Sequence, residues 1–355
     1  MSGDPYISLR TPAPDFSETR ASALLRSHYG LVASLDPLVS ERDQNFLVKA
    51  AEGAKYILKI ANAAESAPIT DFQNRALLHI AKVSPDFPVP RVIPTTDGDL
   101  QFEVESDSGN AHCVRLLSWL DGVPLQHARG VRSVARQTGT CLAQLGLALC
   151  DFEHPASDYT LLWDIRNAAS LEELLPHIAD TDLRGLCAAR LERFRNVTRP
   201  QLDALRAQVI YNDMNPSNLL VEEEDANRLA GVIDFGDMVH SQLINDVAVA
   251  AAYFCKTDED PFGDVAEFLD AYIEKLPLTE DEIAVLPDLV LTRHLTTVVI
   301  THWRASMYPE NAKYILRNEG RARQVLTRVA GISIDDTVGR FLDVCRGDVG
   351  QEAAT

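Results

Sequence analysis

Apolar and polar positions in the first part of the chain alternate as they do in strands with one buried face. Phe46, Val48 and Ala50 occupy every second position, and the same spacing returns in residues 55–61 after a turn around Gly53. The two runs therefore predict a β-hairpin. The elements predicted by such patterns up to Trp119, after a loose lead over residues 1–20, are strands at 44–51, 55–61, 100–104 and 113–117 and helices at 21–29 and 71–82.

Beyond Asp121-Gly122 the spacing of apolar residues becomes mainly helical. Helical patterns cover residues 131–150, residues 171–198 and the chain from Asn245 onward, and short strands are expected at 209–210, 219–222 and 229–233. A strand-rich first part and a helical second part predict an α+β fold. We place the smaller lobe at residues 1–118 and the larger at 119–355, with the ligand in the cleft at the hinge.

Composition narrows the class of partner. The chain of 355 residues has 33 Lys and Arg against 52 Asp and Glu, a formal charge of −19. Such acidity disfavours nucleic acid and anionic membranes as partners, and it suits a cationic substrate as well as plain solubility. The six cysteines form no C-x-x-C pair, which is typical of reduced thiols in a cytoplasmic protein. We expect no secretory signal and no membrane span, because no apolar run approaches ~18 residues.

Two polar segments that follow apolar strands carry the candidate chemistry. Asp213 follows the strand at 209–210 and Asn218 comes five residues later, while Asp234 follows the strand at 229–233. One carboxylate that orients an attacking hydroxyl, together with an amide and a second carboxylate that bind Mg²⁺, forms a phosphoryl-transfer set. Turn chemistry explains either segment alone. The three residues in this order favour catalysis.

The D-x-x-x-x-N loop and the later I-D-F-G-D segment resemble the aminoglycoside phosphotransferase and choline kinase group, which has a bilobal protein-kinase-like fold. The resemblance implies ATP and Mg²⁺ as cofactors, Asp213 as the catalytic base, and Asn218 and Asp234 as magnesium ligands. It also implies that Asp237 and Asp246 brace the loops. The group usually has His two residues before the catalytic Asp, whereas this chain has Tyr211.

The nucleotide side of the expected cleft lies in the smaller lobe. Lys59, in an otherwise apolar strand, is predicted to contact the α- and β-phosphates. Residues 40–46 occupy the place of the phosphate-covering loop without a glycine motif. The remaining expected nucleotide contacts are Ser40 and Asn45 to phosphate, Gln73 as the helix partner of Lys59, and Ser118 and Leu120 at the adenine-binding hinge.

The sequence constrains the identity of the phosphate acceptor less than it constrains the nucleotide site. The segments 162–164 and 301–304 resemble the 5-hydroxylysine kinase-like branch of the group, which implies a hydroxylated amino acid or amino alcohol as acceptor. Trp163, Asp164, Trp303 and Arg304 are then candidate substrate contacts, with Asp164 facing an ammonium and Arg293 or Arg304 a carboxylate. Core packing explains the tryptophans equally well. An antibiotic kinase, a protein kinase and a nucleotide-binding pseudokinase remain alternatives.

Overall fold

The first part of the chain folds into an antiparallel sheet with helices beside it. A computed structural model describes residues 6–40, 42–130 and 134–347. The first five residues of the predicted lead, Glu41 of the predicted phosphate-covering segment and the predicted helix start at Val131 lie outside the described residues. The strands of this sheet are β1 (Ala33–Leu38), β2 (Gln44–Ala50), β3 (Lys55–Ile60), β4 (Val92–Ile93), β5 (Phe102–Glu105) and β6 (Ala111–Ser118). They run in the order β1-β2-β3-β6-β4, with β5 also paired to β6.

Helix α2 (Glu18–Tyr29) packs on this sheet and is capped at both ends. It begins after Ser17, whose side chain accepts a hydrogen bond from the backbone of Arg20, and ends at Gly30, which has a left-handed φ of 65°. Leu25 of α2 packs with Phe46, Leu58 and residues of β6 in one buried cluster. This cluster supports β2 and β3, which carry Asn45 and Lys59.

The second part of the chain is helical around two small sheets. Helix α9, 28 residues long, runs through its core and begins with a capping box between Thr279 and Glu282. The described helices are α1 (Ile7–Arg10), α2, α3 (Ala67–Val83), α4 (Ala135–Ala148), α5 (Thr181–Arg193), α6 (Arg199–Leu202), α7 (Leu243–Ala252), α8 (Gly263–Ile273), α9 (Glu280–Met307), α10 (Ala312–Ile315), α11 (Glu319–Arg328) and α12 (Ile334–Arg346). The remaining strands are β7 (Val123–Pro124), β8 (Ala207–Ile210), β9 (Leu219–Val221), β10 (Leu229–Val232) and β11 (Val239–Gln242).

Helix α9 is long and apolar enough to cross a membrane by length and composition alone. However, 89% of its most apolar window is buried inside the protein, as in the core helix of a globular domain. Its polar residues include the buried Arg293 and His294. Its apolar length is therefore explained by packing.

The predicted α+β class, with a sheet-rich first part and a helical second part, is confirmed. Two local predictions need correction. Residues 33–38 form an edge strand that was not expected, because its side chains are mostly half-buried or exposed and it contains Pro37. The segment Ile165–His177 is a 3₁₀ helix with Pro176 inside it, so the helical pattern expected from residue 171 is not α-helical at its start. The lobe boundary at residue 118 stays a prediction.

Candidate active site

The loop that carries Asp213 is fixed by a buried carboxylate. Strand β8 ends at Ile210, and the next backbone N–H groups, of Tyr211 and Asn212, donate to Asp246 at 3.2 and 2.7 Å. Asn212 has a left-handed φ of 64°, a conformation that Asn tolerates. Burial raises the pKa of Asp246 to about 6, and the two N–H donors oppose that rise. Asp246, at the start of α7, thus braces the loop, as the sequence predicted.

Asp213 lies between an amide and a guanidinium. Its Oδ2 accepts from Asn218 Nδ2 at 2.7 Å, and its Oδ1 accepts from Arg293 Nη2 at 3.3 Å. Burial and the nearby carboxylate of Asp237 raise the pKa of Asp213 to about 7, while Arg293 opposes the rise. A carboxylate with a pKa near the operating pH is suited to accept a proton during catalysis.

Asn218 and Asp234 are neighbours, because the backbone N–H of Ile233 donates to the carbonyl of Asn218 at 2.9 Å. The amide nitrogen of Asn218 faces Asp213, so its oxygen is left for a cation. Asp234 has a left-handed φ of 60°, and its half-exposed carboxylate accepts from Lys59 at 3.2 Å. Lys59 lowers the pKa of Asp234, which keeps the carboxylate ionised.

These two residues fit a divalent cation whose other ligands come from the phosphates of a nucleotide and from water. One ionised carboxylate and one amide oxygen are hard donors of the kind that Mg²⁺ takes alongside phosphates and water. In the described part of the chain there is no cluster of three or more His, Cys, Asp or Glu that could hold a metal ion by itself. A cation held here would complete its coordination with phosphate oxygens and water.

Lys59 points into the cleft, where it forms ion pairs with Asp234 and, at 3.6 Å, with Asp43. Its side chain is almost fully buried. Lys59 is therefore paired with two carboxylates, one of which comes from the β1–β2 connection, and this corrects the expected pairing with Gln73. Gln73 instead accepts from Arg115, which lies opposite Lys59 on β6.

The amide nitrogen of Gln73 is also occupied, since it donates to Glu65 at 2.5 Å and to the carbonyl of Gly236 at 3.3 Å. Gln73 therefore ties helix α3 to the segment that follows Asp234. It acts on the loop that presents the candidate metal ligand, and the structure records no hydrogen bond from it to Lys59 among the described residues.

The β1–β2 connection lies at the cleft. Asn45 is in β2 directly opposite Lys59, and its Oδ1 is buried without a hydrogen-bond partner among the described residues. Ser40 lies half-buried in the connection itself. The same connection supplies Arg42, whose Nη2 donates to Asp237 Oδ1 at 2.5 Å. Sequence analysis missed Arg42; its only signal was a basic residue in the expected phosphate-covering segment.

The expected adenine contacts at the hinge differ from one another. Ser118 donates its N–H to the carbonyl of Arg91 and accepts the N–H of Arg91 on its hydroxyl, both at 2.8 Å. Its backbone N–H is thus used within the fold, and its expected contact with adenine stays a prediction. Leu120 is half-buried beside Gly231, where an added Cβ would lie 3.0 Å from Leu120 Cδ1. Leu120 remains a candidate apolar contact.

Of the predicted acceptor residues, the structure brings Arg293 to Asp213 and Trp163 to Arg293. The guanidinium of Arg293 lies 5.1 Å from the Trp163 ring centroid, and Arg293 Nη1 donates to the Trp163 carbonyl at 3.2 Å. Asp164 is fully buried, where it caps the 3₁₀ helix through the Arg166 N–H and accepts from Ser241 at 3.0 Å. This corrects its expected contact with an ammonium.

Trp303 is buried and packs edge-on against Tyr6 with ring centroids 5.3 Å apart, so its role is core packing and its predicted role in substrate contact needs correction. Arg304 lies near Tyr308, and it is not among the described residues that line the cavity beside residues 215–217 of the catalytic loop. That cavity has a volume of about 300 Å³ and is lined by Arg293. Tyr253, Arg317 and Arg321 also line it, and no motif in the sequence identified them.

Tyr211, which occupies the place of the usual His, is fully buried and donates its hydroxyl to the carbonyl of Ile233. Its ring also packs edge-on against Phe235 at 5.0 Å. Tyr211 thus fixes the residues on both sides of Asp234. We expect Tyr211→Phe to lower the free energy of unfolding by about 1–3 kcal/mol in urea titrations, because a buried carbonyl loses its donor.

A matched control for Tyr211→Phe is Tyr159→Phe, which removes a hydroxyl bonded to the carbonyl of Met238 at 2.9 Å. Both variants should lose stability. Only Tyr211→Phe should also weaken metal-dependent nucleotide binding, because Ile233 directly precedes Asp234. Equal nucleotide affinities in the two variants would contradict this role for Tyr211.

Comparisons with known proteins show the family and the fold of the chain. Residues 35–281 match the family described as APH, the phosphotransferase enzyme family. The hydroxylysine kinase of Mus musculus is 27% identical over 338 residues, covering 89% of this chain and 89% of that protein. The homoserine kinase of Methylobacillus glycogenes is 27% identical over 250 residues, covering 69% of this chain and 72% of that protein.

Two solved structures share the fold. An amicoumacin kinase in complex with AMP-PNP and Ca²⁺ superposes with a TM-score of 0.66 at 14% identity, covering 90% of this chain and 97% of that chain. A microcompartment-associated aminopropanol kinase superposes with a TM-score of 0.65 at 21% identity, covering 90% of this chain and 100% of that chain. The predicted kinase-like architecture is thereby confirmed.

Proposed function

The chain belongs to the phosphotransferase enzyme family, and we propose that it transfers the γ-phosphate of Mg-ATP to a hydroxyl of a small amine-bearing metabolite. As a small-molecule kinase it uses a nucleotide and a divalent metal; magnesium and the amine-bearing acceptor are the finer parts of the proposal. The observation that carries the proposal is the convergence of Asp213, Asn218, Asp234 and Lys59 in one cleft.

Each of these residues has a role that follows from its position in the cleft. Asp213 orients the acceptor hydroxyl and takes its proton as the hydroxyl oxygen forms a bond to the γ-phosphorus. The bond from that phosphorus to the bridging oxygen breaks, and ADP leaves. Lys59 places a positive charge beside the phosphates. A divalent cation held by Asn218 and Asp234 would neutralise phosphate charge.

A catalytically inactive nucleotide-binding protein is disfavoured by the environment of Asp213. A carboxylate whose pKa is raised to about 7 between Asn218 and Arg293 is costly to keep, because burial of a charge opposes folding. Although Tyr211 stands where the group usually has His, the catalytic loop is still braced by hydrogen bonds of Tyr211 and Asp246. These contacts support Asp213 as the group that removes the proton.

The proposal is tested by coupled ADP release from Mg-ATP with a panel of acceptors. The panel contains 5-hydroxylysine, homoserine, 1-amino-2-propanol, ethanolamine and kanamycin, with a reaction lacking acceptor as the blank. We expect at least one small amine to stimulate ADP release and to yield a phosphorylated product by mass spectrometry. Tight Mg-ATP binding without a product from any acceptor would contradict the proposed activity.

A further inference from the structure

Arg42 is a cation of the cleft to which the proposed function gives no role. It comes from the β1–β2 connection, and its Nη2 donates to Asp237 Oδ1 at 2.5 Å. An arginine carries five N–H donors in a planar fork. Nη2 is the only side-chain nitrogen of Arg42 that hydrogen-bonds a described residue, and the side chain is 22% exposed. The guanidinium therefore has donors left for a ligand.

The backbone around Arg42 is anchored to residues outside the connection. The buried Asn62 donates its Nδ2 to the carbonyl of Arg42 at 3.2 Å, and its backbone N–H donates to Asp43 Oδ1 at 3.0 Å. The side chain of Gln44 bonds the N–H and the carbonyl of Phe16 at 2.7 and 2.9 Å. Arg42 thus reaches into the cleft from a fixed base.

The guanidinium of Arg42 lies beside the candidate metal ligand. A Cβ added to Gly236 would lie 3.6 Å from Arg42 Nη2 and 3.2 Å from Asp234 Oδ1, so both atoms border the same small space. Lys59 and, to a smaller extent, Arg42 lower the pKa of Asp234. A nucleotide whose phosphates share a cation with Asp234 therefore places them within reach of Arg42.

Arg42 is also close to the candidate base through its partner Asp237. The backbone carbonyl of Asp237 accepts from Asn212 Nδ2 at 3.2 Å, and Asn212 directly precedes Asp213. After burial, the carboxylate of Asp237 is the main cause that raises the pKa of Asp213. A cation close to both Asp234 and Asp213 lies next to the phosphate that is transferred, since that phosphate moves from the nucleotide to the hydroxyl at Asp213.

The other cations on this side of the cleft are already committed to the protein. Lys59 faces the carboxylates of Asp43 and Asp234. Arg115, opposite Lys59 on β6, is buried and donates to residues of helix α3. Phosphoryl transfer spreads negative charge over three equatorial oxygens, and a guanidinium can donate to two of them at once. Arg42 has both the position and the donors for this contact.

We propose that Arg42 binds the terminal phosphate of the nucleotide through its remaining N–H donors, while Asp237 orients its guanidinium. The inference rests on the proposed function and adds a catalytic residue to it. Arg42 stays protonated throughout and stabilises the charge on the transferred group. In a connection that has no glycine motif, a side chain thus supplies donors over the phosphates.

The test separates a contact with the terminal phosphate from a purely structural ion pair. Dissociation constants for AMP-PNP and for ADP, both with magnesium, are measured by calorimetry. Arg42→Gln should bind AMP-PNP about tenfold more weakly than the wild type and ADP within about twofold, because ADP lacks the phosphate that Arg42 contacts. With an acceptor that is turned over, kcat should fall about 10³-fold.

Asp237→Asn breaks the same ion pair but keeps the arginine. It should bind AMP-PNP at least as tightly as the wild type, since Arg42 retains its charge and loses only an acidic neighbour. If the ion pair only stabilised the shape of the cleft, Arg42→Gln and Asp237→Asn would change both nucleotide affinities alike, and that result would overturn the inference. Lys49→Gln, which breaks the pair with Asp36 on the exposed face of the sheet, is the charge-matched control and should leave both affinities unchanged.

A second variant covers a folding defect in Arg42→Gln. Arg42→Lys keeps the charge and a partner for Asp237, but an ammonium is a point charge without the planar fork. Its affinity for AMP-PNP relative to ADP should fall about threefold. If Arg42→Lys has the wild-type ratio of the two affinities, Arg42 does not bind the terminal phosphate.

Binding and turnover separate this inference from the proposed function. A selective loss of AMP-PNP affinity in Arg42→Gln, without turnover of any acceptor by the wild type, would support the inference and contradict the proposed activity. Turnover by the wild type, with an unchanged ratio of affinities in Arg42→Gln, would overturn the inference alone. A wild-type protein that binds neither nucleotide would contradict both.

Discussion

Replacing Asp213 by Asn is expected to lower kcat about 10²–10⁴-fold, the usual contribution of a general base. Asn keeps the volume of the side chain and an oxygen that accepts from Asn218, but it cannot take the proton of the acceptor hydroxyl. Affinity for Mg-AMP-PNP should stay near the wild-type value, because Asp234 and Lys59 are unchanged. The two quantities are measured by coupled ADP release and by calorimetry.

The control for this variant is Asp203→Asn, an exposed carboxylate that pairs with Arg199 one helical turn away. It removes the same charge and should leave kcat unchanged. If Asp213→Asn turned over the acceptor at the wild-type rate, another group would have to accept the proton. The assignment of Asp213 as the base would then be abandoned.

The residues that sequence analysis could place are those joined by short stretches of chain. Asp213 and Asn218 are five residues apart in one loop, so their contact at 2.7 Å is a local property. Asp234 follows from the pairing of β9 with β10, two adjacent strands. Asp213 and Asp234 follow closely after short apolar strands, and Asn218 directly precedes one, which is a signal visible in the sequence.

The contacts that sequence analysis missed are set by packing between distant elements. Arg42 and Asp237 are separated by 195 positions, and Arg293 and Asp213 by 80. Arg293 reaches the loop only because α9 runs through the core, and its charge has no local pattern. The error at Gln73 has a similar origin, since the buried Arg115 on the neighbouring strand takes the amide oxygen expected for Lys59.

The same distinction explains the fold predictions. The β2–β3 hairpin was predictable because one face is buried, which imposes an alternation of apolar residues. Edge strand β1 has no fully buried residue, so burial leaves no such pattern in its sequence. The cavity lined by Arg293 was equally hidden, because residues from loops and helices far apart in the chain line it.

Replacing Asp234 by Asn is expected to abolish the dependence of nucleotide affinity on magnesium and to lower kcat about 10³-fold, since a bound metal contributes several kcal/mol. Asn tolerates the left-handed φ of 60° at this position, so the loop should keep its path. Lys59 retains Asp43 as a partner, which limits the loss of stability. The affinity for AMP-PNP is measured with magnesium and with EDTA.

The matched control for Asp234→Asn is Asp36→Asn. It breaks the ion pair between Asp36 and Lys49, which lies on the exposed face of the sheet that carries Lys59. That variant should bind AMP-PNP more tightly with magnesium than with EDTA, as the wild type does. If Asp234→Asn kept the same difference, the cation would have to be held elsewhere. The ion pair between Lys59 and Asp234 would then only stabilise the shape of the cleft. The assignment of Asn218 as a metal ligand next to Asp234 would fall with it.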